Sequence, residues 1–567
     1  MNTPTSAPRP LPYALPCARL SAPRSALQSA RSLSRELTLT LTLTLTLTLT
    51  LHLTASATPP AGVTPLLQAK GATAPPATPC AQYTPPLPFG GAADAAVSVE
   101  EARRWLRLRE ARERERLEEA FTPEAVARRY RLERAPLEAG CVSPRDLIDA
   151  GRALFLRRFT RAEGFGRTQA PTSAPELQRL AARPTKLLGG ASGSPDAGAC
   201  VDCHWKGGAA GAGDRVDNAY LHGDGERLSL SEPRNPLALW GSGWVELIAE
   251  EMSEDLARLR ADAAARAVAA GEAVEVELES KGTRFGRLTA RPDGSFDTSG
   301  VEGVDADLVV RPFGWRGVFR DLTDFVTHSA ERHFSLQPEA LVGAADADGD
   351  GVARELTDGQ IAALVAYLAT LDSPVLEVPR EGIFKSPPFV GEPARTPASE
   401  LALRWQRGAA LFEELGCAGC HTPLMPLRRT TYTLLRGAGG APALTLDLSA
   451  YAAAPRPERD EEGVVWVPVF SDFKRHDMGP RLAGLAPERG VSPREYLTRR
   501  LWGSAQTAPY LHTGEALTLD EVVLAHASEG SEALFAAEGY LELGEGSRSS
   551  LRVFLQSLSR APAIRVR

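Results

Sequence analysis

Residues 200–204 read CVDCH and residues 417–421 read CAGCH, so one pattern of two cysteines and a histidine occurs twice in the chain. Two cysteines separated by two residues lie on one helical turn, where each thiol can add to one vinyl group of a porphyrin. The histidine that follows can turn its imidazole to the iron. The motifs therefore predict two covalently bound haem c groups, each within a cytochrome c-like fold.

Zinc binding is the alternative explanation of such motifs. A structural zinc ion needs four ligands, whereas the two motifs lie in different halves of the chain and no other closely spaced cysteine pair exists. We therefore favour haem. The predicted attachment points are Cys200, Cys203, Cys417 and Cys420, and the predicted proximal iron ligands are His204 and His421.

A sixth ligand decides whether a haem iron only exchanges electrons or also binds a small molecule. The chain contains nine histidines and four methionines, which limits the choice. The candidates for the second haem are His526, Met478, His476 and His512, and those for the first haem are His333 and His328.

The N-terminal residues predict export. Five arginines precede an alternating Leu and Thr run at residues 37–53, and the small residues at 55–57 follow it. This order is typical of a secretory signal, so we expect residues 1–57 to be removed and the protein to be periplasmic or otherwise exported. A low-complexity repeat and an upstream start codon are the alternatives. No later segment has the roughly 20 apolar residues that span a bilayer, so no integral membrane span is expected.

Composition shifts divide the rest of the chain. The predicted parts are a linker rich in Pro, Ala and Thr at 58–96, a charged helical segment at 97–140, and two cytochrome c-like haem domains at 141–385 and 386–567. The predicted fold class is mainly α. A charged amphipathic helix is expected between residues 245 and 269, and alternating residues at 274–300 predict a small β-hairpin insert in the first domain.

Composition and charge limit the class of partner. Hydrophobic residues make up 43% and charged residues 24% of the chain, values typical of globular proteins. The net charge of −7 disfavours nucleic acid as a partner and is compatible with a small basic redox donor protein. The three cysteines outside the motifs, Cys17, Cys80 and Cys141, do not form an even set, so no disulfide framework is expected.

The two halves contain a similar pattern after each motif. Seven residues after Trp315 comes Leu322, and His328 follows; seven residues after His512 comes Leu519, and His526 follows. We interpret this as two related domains, in each of which a helix can present a second ligand to its own haem. Two glycine turns that enter amphipathic helices by coincidence are the alternative.

An acidic loop provides a second candidate metal site. Asp346, Asp348 and Asp350 alternate with small residues and Gly351 stands at the bend, a pattern typical of calcium loops. Thr357 occupies the position where an EF-hand has a bidentate Glu. The loop therefore predicts a possible calcium ion, and an acidic turn that caps the following helix is the alternative.

With these residues established, the chain resembles the di-haem oxidoreductase family, which is related to the bacterial di-haem cytochrome c peroxidases. The resemblance covers about residue 144 to the C-terminus and is most specific in FSDFKRHDMGPRL and YLTRRLWGSAQTAPYLHTGEALTLDEVVLAHASEG. It implies two cytochrome c domains with haems at their interface and electrons passing from one haem to the other.

Particular residues acquire roles through this resemblance. His526 falls at the position of the axial ligand of the second haem, with Met478 as second choice, and Trp315 falls between the haems. The catalytic Glu of the peroxidases is replaced by Ser335. A peroxidase needs a group that moves a proton between the peroxide oxygens, and Glu331 or His333 is near enough in sequence to substitute.

The sequence supports three functional hypotheses. In the first, the second haem receives electrons from a donor protein and the first haem reduces hydrogen peroxide or a related oxidant, after His333 or His328 moves away. In the second, both irons keep six ligands and the protein is a non-enzymatic electron carrier. The third is an oxidase that modifies a partner protein, and no sequence feature bears on it.

Overall fold

A computed structural model describes residues 130–166, 195–221, 230–373, 398–437, 440, 442–457 and 459–560. The predicted signal, the linker and most of the charged segment lie outside these residues, as does the proline-rich stretch between the two halves. The division into domains therefore stays a prediction.

The described residues mix helices and strands. The helices are α1 Arg134–Glu138, α2 Pro144–Leu156, α3 Ser242–Ala270, α4 Leu322–Phe334, α5 Glu339–Val342, α6 Asp358–Ala369, α7 Ala398–Glu414, α8 Leu448–Tyr451, α9 Leu519–Ala525, α10 Leu534–Glu542 and α11 Glu545–Ser557. The strands are β1 Ala219–Leu221, β2 Glu232–Arg234, β3 Val274–Ser280, β4 Thr283–Ala290, β5 Phe296–Asp297, β6 Met425–Leu427, β7 Thr431–Arg436, β8 Pro442–Asp447, β9 Val465–Val467, β10 Arg475–Asp477 and β11 Glu495–Leu497.

Each half contains a pair of helices that cross at a glycine. A Cβ at Gly151 of α2 would lie 1.8 Å from the carbonyl oxygen of Ala363 in α6. A Cβ at Gly408 of α7 would lie 2.1 Å from the carbonyl oxygen of Ser550 in α11. Only glycine allows the backbones to approach so closely, so the two crossings are fixed by equivalent residues.

Antiparallel strand pairs add to the helices. In the stretch where a hairpin was predicted, β3 pairs with β4, β4 pairs with β5, and both β3 and β4 pack against α3. The second half has three further pairs that the sequence did not predict: β6 with β9, β7 with β8, and β10 with β11. The strand content is therefore larger than expected.

One hydrophobic core joins residues from both halves. It contains buried side chains between Leu132 and Leu371 and also between Met425 and Trp502. A second, smaller core surrounds Phe412 where α7 crosses α11. The strands of the second half thus complete the core of the first.

Helix α3 carries a buried carboxylate at this junction. Glu251 is 2% exposed and accepts from the Lys281 ammonium at 2.6 Å, which comes from the turn between β3 and β4. Its Oε1 also accepts from the backbone N–H groups of Arg428 and Arg429, at 3.0 and 3.1 Å. One carboxylate therefore links α3, the hairpin and the second half.

Two other features of the described residues concern a disulfide-bonded cysteine and the hydrophobicity of the helices. Cys141 is disulfide-bonded, although no disulfide framework was expected. Among the described helices, none is both long and apolar enough to cross a bilayer.

Candidate functional site

Each CxxCH motif lines its own cavity. The first cavity, of about 180 Å³, contains Cys200, Cys203 and His204 in its wall. The second cavity, of about 390 Å³, contains Cys417, Cys420 and His421. A short 3-10 helix begins at the first cysteine of each motif and turns both thiols and the histidine to the same cavity.

Hydrogen bonds fix the tautomer of both motif histidines. Nδ1 of His204 lies 2.9 Å from the Leu237 carbonyl oxygen, and Nδ1 of His421 lies 3.1 Å from the Phe470 carbonyl oxygen. A carbonyl oxygen only accepts, so each Nδ1 carries the hydrogen and each Nε2 keeps a lone pair. Burial lowers the pKa of both histidines to about 4, which leaves them neutral near pH 7. A neutral imidazole with a free Nε2 is the form that binds iron.

The second cavity is lined by a further histidine that lies close to His421. His526 lines the cavity at the C-terminal end of α9, and its charge would lower the pKa of His421, second only to burial. Its Nδ1 lies 2.8 Å from the Val522 carbonyl oxygen, so Nε2 again keeps a lone pair. Met478 lines the same cavity. Both of the preferred candidates are thus in place.

His476 is held by two carboxylates. Nε2 lies 2.9 Å from Asp472 and Nδ1 lies 2.7 Å from Glu532. Burial opposes a charge on His476, but hydrogen bonds to Asp472, Cys420 and Glu532 raise its pKa to about 12. Because both nitrogens carry hydrogen, His476 has no lone pair for iron.

The first cavity is lined by two histidines besides the one in the motif. Both His328 and His333 of α4 line it. Nδ1 of His333 lies 2.9 Å from an oxygen of Asp196, and His333 is close enough that its charge would lower the pKa of His204. Nδ1 of His328 lies 2.9 Å from the Asp324 carbonyl oxygen. Either residue can offer Nε2 to the cavity.

Neither Glu331 nor Ser335, the residue at the position of the missing Glu, lines the first cavity. Glu331 is buried on α4 and is not among the residues that line the first cavity. Ser335, at the ungapped Glu position, is 1% exposed and ends α4 with a φ of 53°. Since Ser335 does not line the cavity either, His333 is the proton-moving candidate that reaches it.

Trp315 lies in the wall that separates the cavities. Trp315 and residues 235–237 line both of them. The indole Nε1 donates to the Asn235 carbonyl oxygen at 2.8 Å, and the Arg499 guanidinium lies 5.1 Å from the ring centroid. The ring of His512 meets the indole edge-on at 6.2 Å. The indole is therefore rigidly held between the two sites.

His512 belongs to this wall rather than to the cavity centre. Its Nε2 lies 3.1 Å from the hydroxyl of Tyr496, and the two rings are tilted by 32° with their centroids 4.6 Å apart. Burial lowers the pKa of His512 to about 3. Its nitrogen is engaged by Tyr496, which makes it a weaker candidate for iron than His526.

The second cavity carries buried positive charge that fits a haem. Arg499 and Arg500 line it, and burial lowers their pKa values to about 9 and 10. Nη1 of Arg500 is buried without a hydrogen-bond partner among the described residues. Buried guanidinium groups require an anionic partner, and the carboxylates of haem supply one. The apolar walls and the CxxCH cysteines suit the remainder of the porphyrin.

A repeat that the sequence analysis missed supports both motifs. Residues 151–155 read GRALF and residues 408–412 read GAALF. Each glycine makes a helix crossing, and each phenylalanine packs against its motif histidine: Phe155 lies 6.4 Å from His204, and Phe412 lies 6.4 Å from His421. A comparison of the residues that precede each motif would have found this signal.

The acidic loop brings its three carboxylates together. Ligand oxygens of Asp346, Asp348 and Asp350 lie within 4.8 Å of one another. Burial, then the neighbouring aspartates, raises the pKa of Asp348, a shift that a cation would reverse. Thr357 is the N-cap of α6 and accepts from the Gln360 backbone N–H. Calcium in this loop stays a prediction.

Two cavities that each contain a CxxCH motif, with Trp315 in the wall of both, suit the binding of two haem groups. Residues 383–558 match the family described as "Di-haem oxidoreductase, putative peroxidase", so the family resemblance is confirmed over that part of the chain. The family description implies two haems.

Other comparisons add little. A MauG-like protein associated with microbial copper homeostasis is 18% identical, and the similarity covers 47% of this chain and 75% of that chain with a TM-score of 0.24. That score is too low to support a structural argument. No curated protein sequence matches the chain.

Proposed function

We propose that the chain is an exported di-haem c-type oxidoreductase that receives electrons at the second cavity and uses them at the first cavity to reduce hydrogen peroxide or a related oxidant. The observation that supports this most strongly is the pair of CxxCH cavities with Trp315 in their common wall. Haem, when bound, supplies an iron that exchanges single electrons and can bind a small ligand.

The residues that would hold the two haems follow from the cavity walls. Cys200, Cys203, Cys417 and Cys420 would form the thioether bonds, and His204 and His421 would bind iron through Nε2. Since such attachment takes place after export, it agrees with the secretory signal expected at residues 1–57. The indole of Trp315 offers an aromatic route for electrons through the wall.

His333 is the proposed proton carrier of the first cavity. Its Nδ1 donates to Asp196, whose side chain is buried, so the carboxylate orients the ring and favours a proton on Nε2 when one is needed. His328 also lines the first cavity and can carry the proton in the same way. Glu331 remains an alternative only if α4 rearranges, because it does not line the cavity.

A second function is favoured by a different observation. Each cavity is lined by a second histidine close to its motif histidine, His333 near His204 and His526 near His421. If both of these second histidines bind iron permanently, the protein is an electron carrier that binds no oxidant. The two proposed functions differ only in whether an oxidant can bind in the first cavity.

The test uses the full chain matured in a host that attaches haem c. We expect the mass of two haems, and we expect hydrogen peroxide to shift the Soret band of the reduced protein within turnover time. The His333→Ala variant should lose most of this reactivity, and Glu331→Gln should keep it. Two low-spin haems with no response to excess peroxide would leave only the carrier function.

A further inference from the structure

Arg234 is a buried cation in the wall of the first cavity. It ends β2, lines that cavity and is 7% exposed. Its Nη1 lies 2.5 Å from Glu232, and its Nη2 lies 3.4 Å from Glu488. Its Nε is buried and has no hydrogen-bond partner among the described residues. A buried donor without an acceptor is unfavourable, so this N–H indicates a ligand of the cavity that accepts a hydrogen bond.

Glu488 brings a carboxylate from the second half of the chain to the first cavity. Its side chain is 15% exposed and lines the cavity. The next residue, Arg489, lies 3.3 Å from Asp324 of α4, and Asp324 lies 2.8 Å from Nδ1 of His328. Glu488 therefore enters the cavity beside α4. Because Glu488 is distant from Ser335 in the sequence, the sequence pattern did not predict this carboxylate.

The positive charge of Arg234 is already balanced within the protein. Glu232 and Glu488 also contact a second guanidinium, that of Arg316, at 3.1 and 3.7 Å. Two carboxylates and two guanidinium groups thus form a neutral cluster. An anion such as a haem carboxylate would be repelled by the two glutamates, whereas a neutral acceptor would not.

The arginines of the second cavity differ in this respect. Burial lowers the pKa values of Arg499 and Arg500 to about 9 and 10, and no carboxylate among the described residues opposes this effect. Those two residues therefore suit the carboxylates of haem. Arg234 suits a neutral molecule instead.

Hydrogen peroxide is a neutral molecule in which each oxygen both accepts and donates hydrogen bonds. We propose that Arg234 and Glu488 bind its outer oxygen, the one farther from His204: Nε–H of Arg234 donates to this oxygen, and Glu488 accepts its O–H. The proposal rests on the proposed function, because it names the residues that hold the oxidant in the first cavity. An alkyl hydroperoxide has carbon at this oxygen and offers Glu488 no O–H, so Glu488 selects hydrogen peroxide.

Arg234 also stabilises charge when the peroxide bond breaks. The outer oxygen leaves with the electron pair of the O–O bond, and the guanidinium stabilises the negative charge that develops on it. His333 transfers the proton of the inner oxygen to the outer oxygen, which departs as water. The inner oxygen takes two electrons, supplied through the second cavity, and two protons from solvent, and departs as the second water. Arg234 and Glu488 are unchanged at the end.

The experiment compares the reaction of the reduced holoprotein with hydrogen peroxide and with ethyl hydroperoxide, followed at the Soret band by stopped flow. We expect Glu488→Ala to lower the rate constant for hydrogen peroxide about tenfold and to leave that for ethyl hydroperoxide unchanged, because only hydrogen peroxide donates to Glu488. We expect Arg234→Lys to lower both rate constants about 100-fold, because the outer oxygen of either peroxide accepts from Nε. The control is Glu495→Ala, which removes a carboxylate that accepts from the Ser492 N–H outside the cavity and should leave both rate constants unchanged.

Resonance Raman spectra of the oxidised holoprotein provide a test without turnover. If Arg234 bound a haem carboxylate, Arg234→Lys would shift the bending bands of that carboxylate, and we expect these bands to stay in place. Circular dichroism and haem content show whether each variant is folded, and Glu488→Ala decides the proposal if Arg234→Lys does not fold.

Two results would overturn the proposal: shifted carboxylate bands in Arg234→Lys, or the same ratio of the two rate constants in Glu488→Ala and Glu495→Ala. A wild-type protein that reacts with peroxide while its variants give either result contradicts this assignment alone. A wild-type protein that carries two haems and reacts with neither peroxide contradicts the proposed function as well.

Discussion

A histidine can bind iron only through a ring nitrogen that its hydrogen bonds leave free. This criterion distinguishes His526 from His476 as a candidate ligand of the second haem. Nδ1 of His526 is bonded to a carbonyl oxygen, whereas both nitrogens of His476 are bonded to carboxylates. The sequence places both residues in the matching segment but does not show their hydrogen bonds. His526 is therefore preferred on physical grounds and not by position alone.

We expect His526→Ala to convert the second haem from low spin to high spin, because its iron would lose the sixth ligand. Met478→Leu removes the other candidate with little change in volume, and we expect it to leave the spin state unchanged. Resonance Raman or magnetic circular dichroism of the oxidised protein distinguishes the two outcomes. A high-spin second haem in Met478→Leu, with His526→Ala unaffected, would assign the ligand to the methionine.

The helices that carry the motifs are related by their packing. Four residues after its contact with Gly151, α6 places Tyr367 against Phe155 at 5.3 Å. Helix α11 repeats this with Phe554, which lies 5.2 Å from Phe412 and four residues after Ser550. The same crossing thus supports the same phenylalanine beside each motif histidine.

We expect Gly151→Ala to lower the free energy of unfolding by about 1–3 kcal/mol, because the added Cβ would overlap the Ala363 carbonyl and force α2 away from α6. Gly546→Ala is the matched control on α11, where a Cβ meets no atom within 4 Å. There we expect a small gain of about 0.5 kcal/mol from reduced chain entropy. Urea denaturation followed by circular dichroism measures both, and a loss of similar size in the two variants would count against this account.

The sequence predicts some of these elements better than others. The start of α4 at Leu322 and of α9 at Leu519 agrees with the repeated pattern, since Asp321 and Thr518 cap them. The strand pairs of the second half were not predicted. Each of them is short, and β6 packs against α3, which is more than 150 residues away in the sequence, while β7 packs against α6. Local patterns do not contain that information.

Those parts of the candidate site that lie within one short stretch of sequence could be predicted from the sequence. The CxxCH motif contains both attachment cysteines and the iron-binding histidine within five consecutive residues. The other residues that line each cavity come from distant parts of the sequence. Asp196 reaches His333 across a separation of 137 residues, and Trp315 meets His512 from the opposite half. Only the family resemblance gave Trp315 a role before these contacts were known.

The molecule as a whole shares one hydrophobic core between its halves. We therefore expect the halves to stay together when the chain is cut at a protease site inserted between residues 380 and 390. Size-exclusion chromatography of the cut protein should give one peak, and a denaturing gel of that peak should show both fragments. The uncut protein with the same insertion is the control. Separate elution of the fragments would mean that the core between residues 425 and 502 does not hold them.

Glu251 illustrates how the β3–β4 hairpin contributes to the contact between the two halves of the chain. A deletion of residues 274–300 would remove the Lys281 ammonium from the buried Glu251 carboxylate, which would keep the backbone amides of Arg428 and Arg429 and the more exposed Arg428 guanidinium, whose Nε lies 3.3 Å away. A buried anion that loses one of its cationic partners is costly. The hairpin insert thereby stabilises the contact between the two halves of the chain as well as its own packing on α3, and shortening it would weaken both.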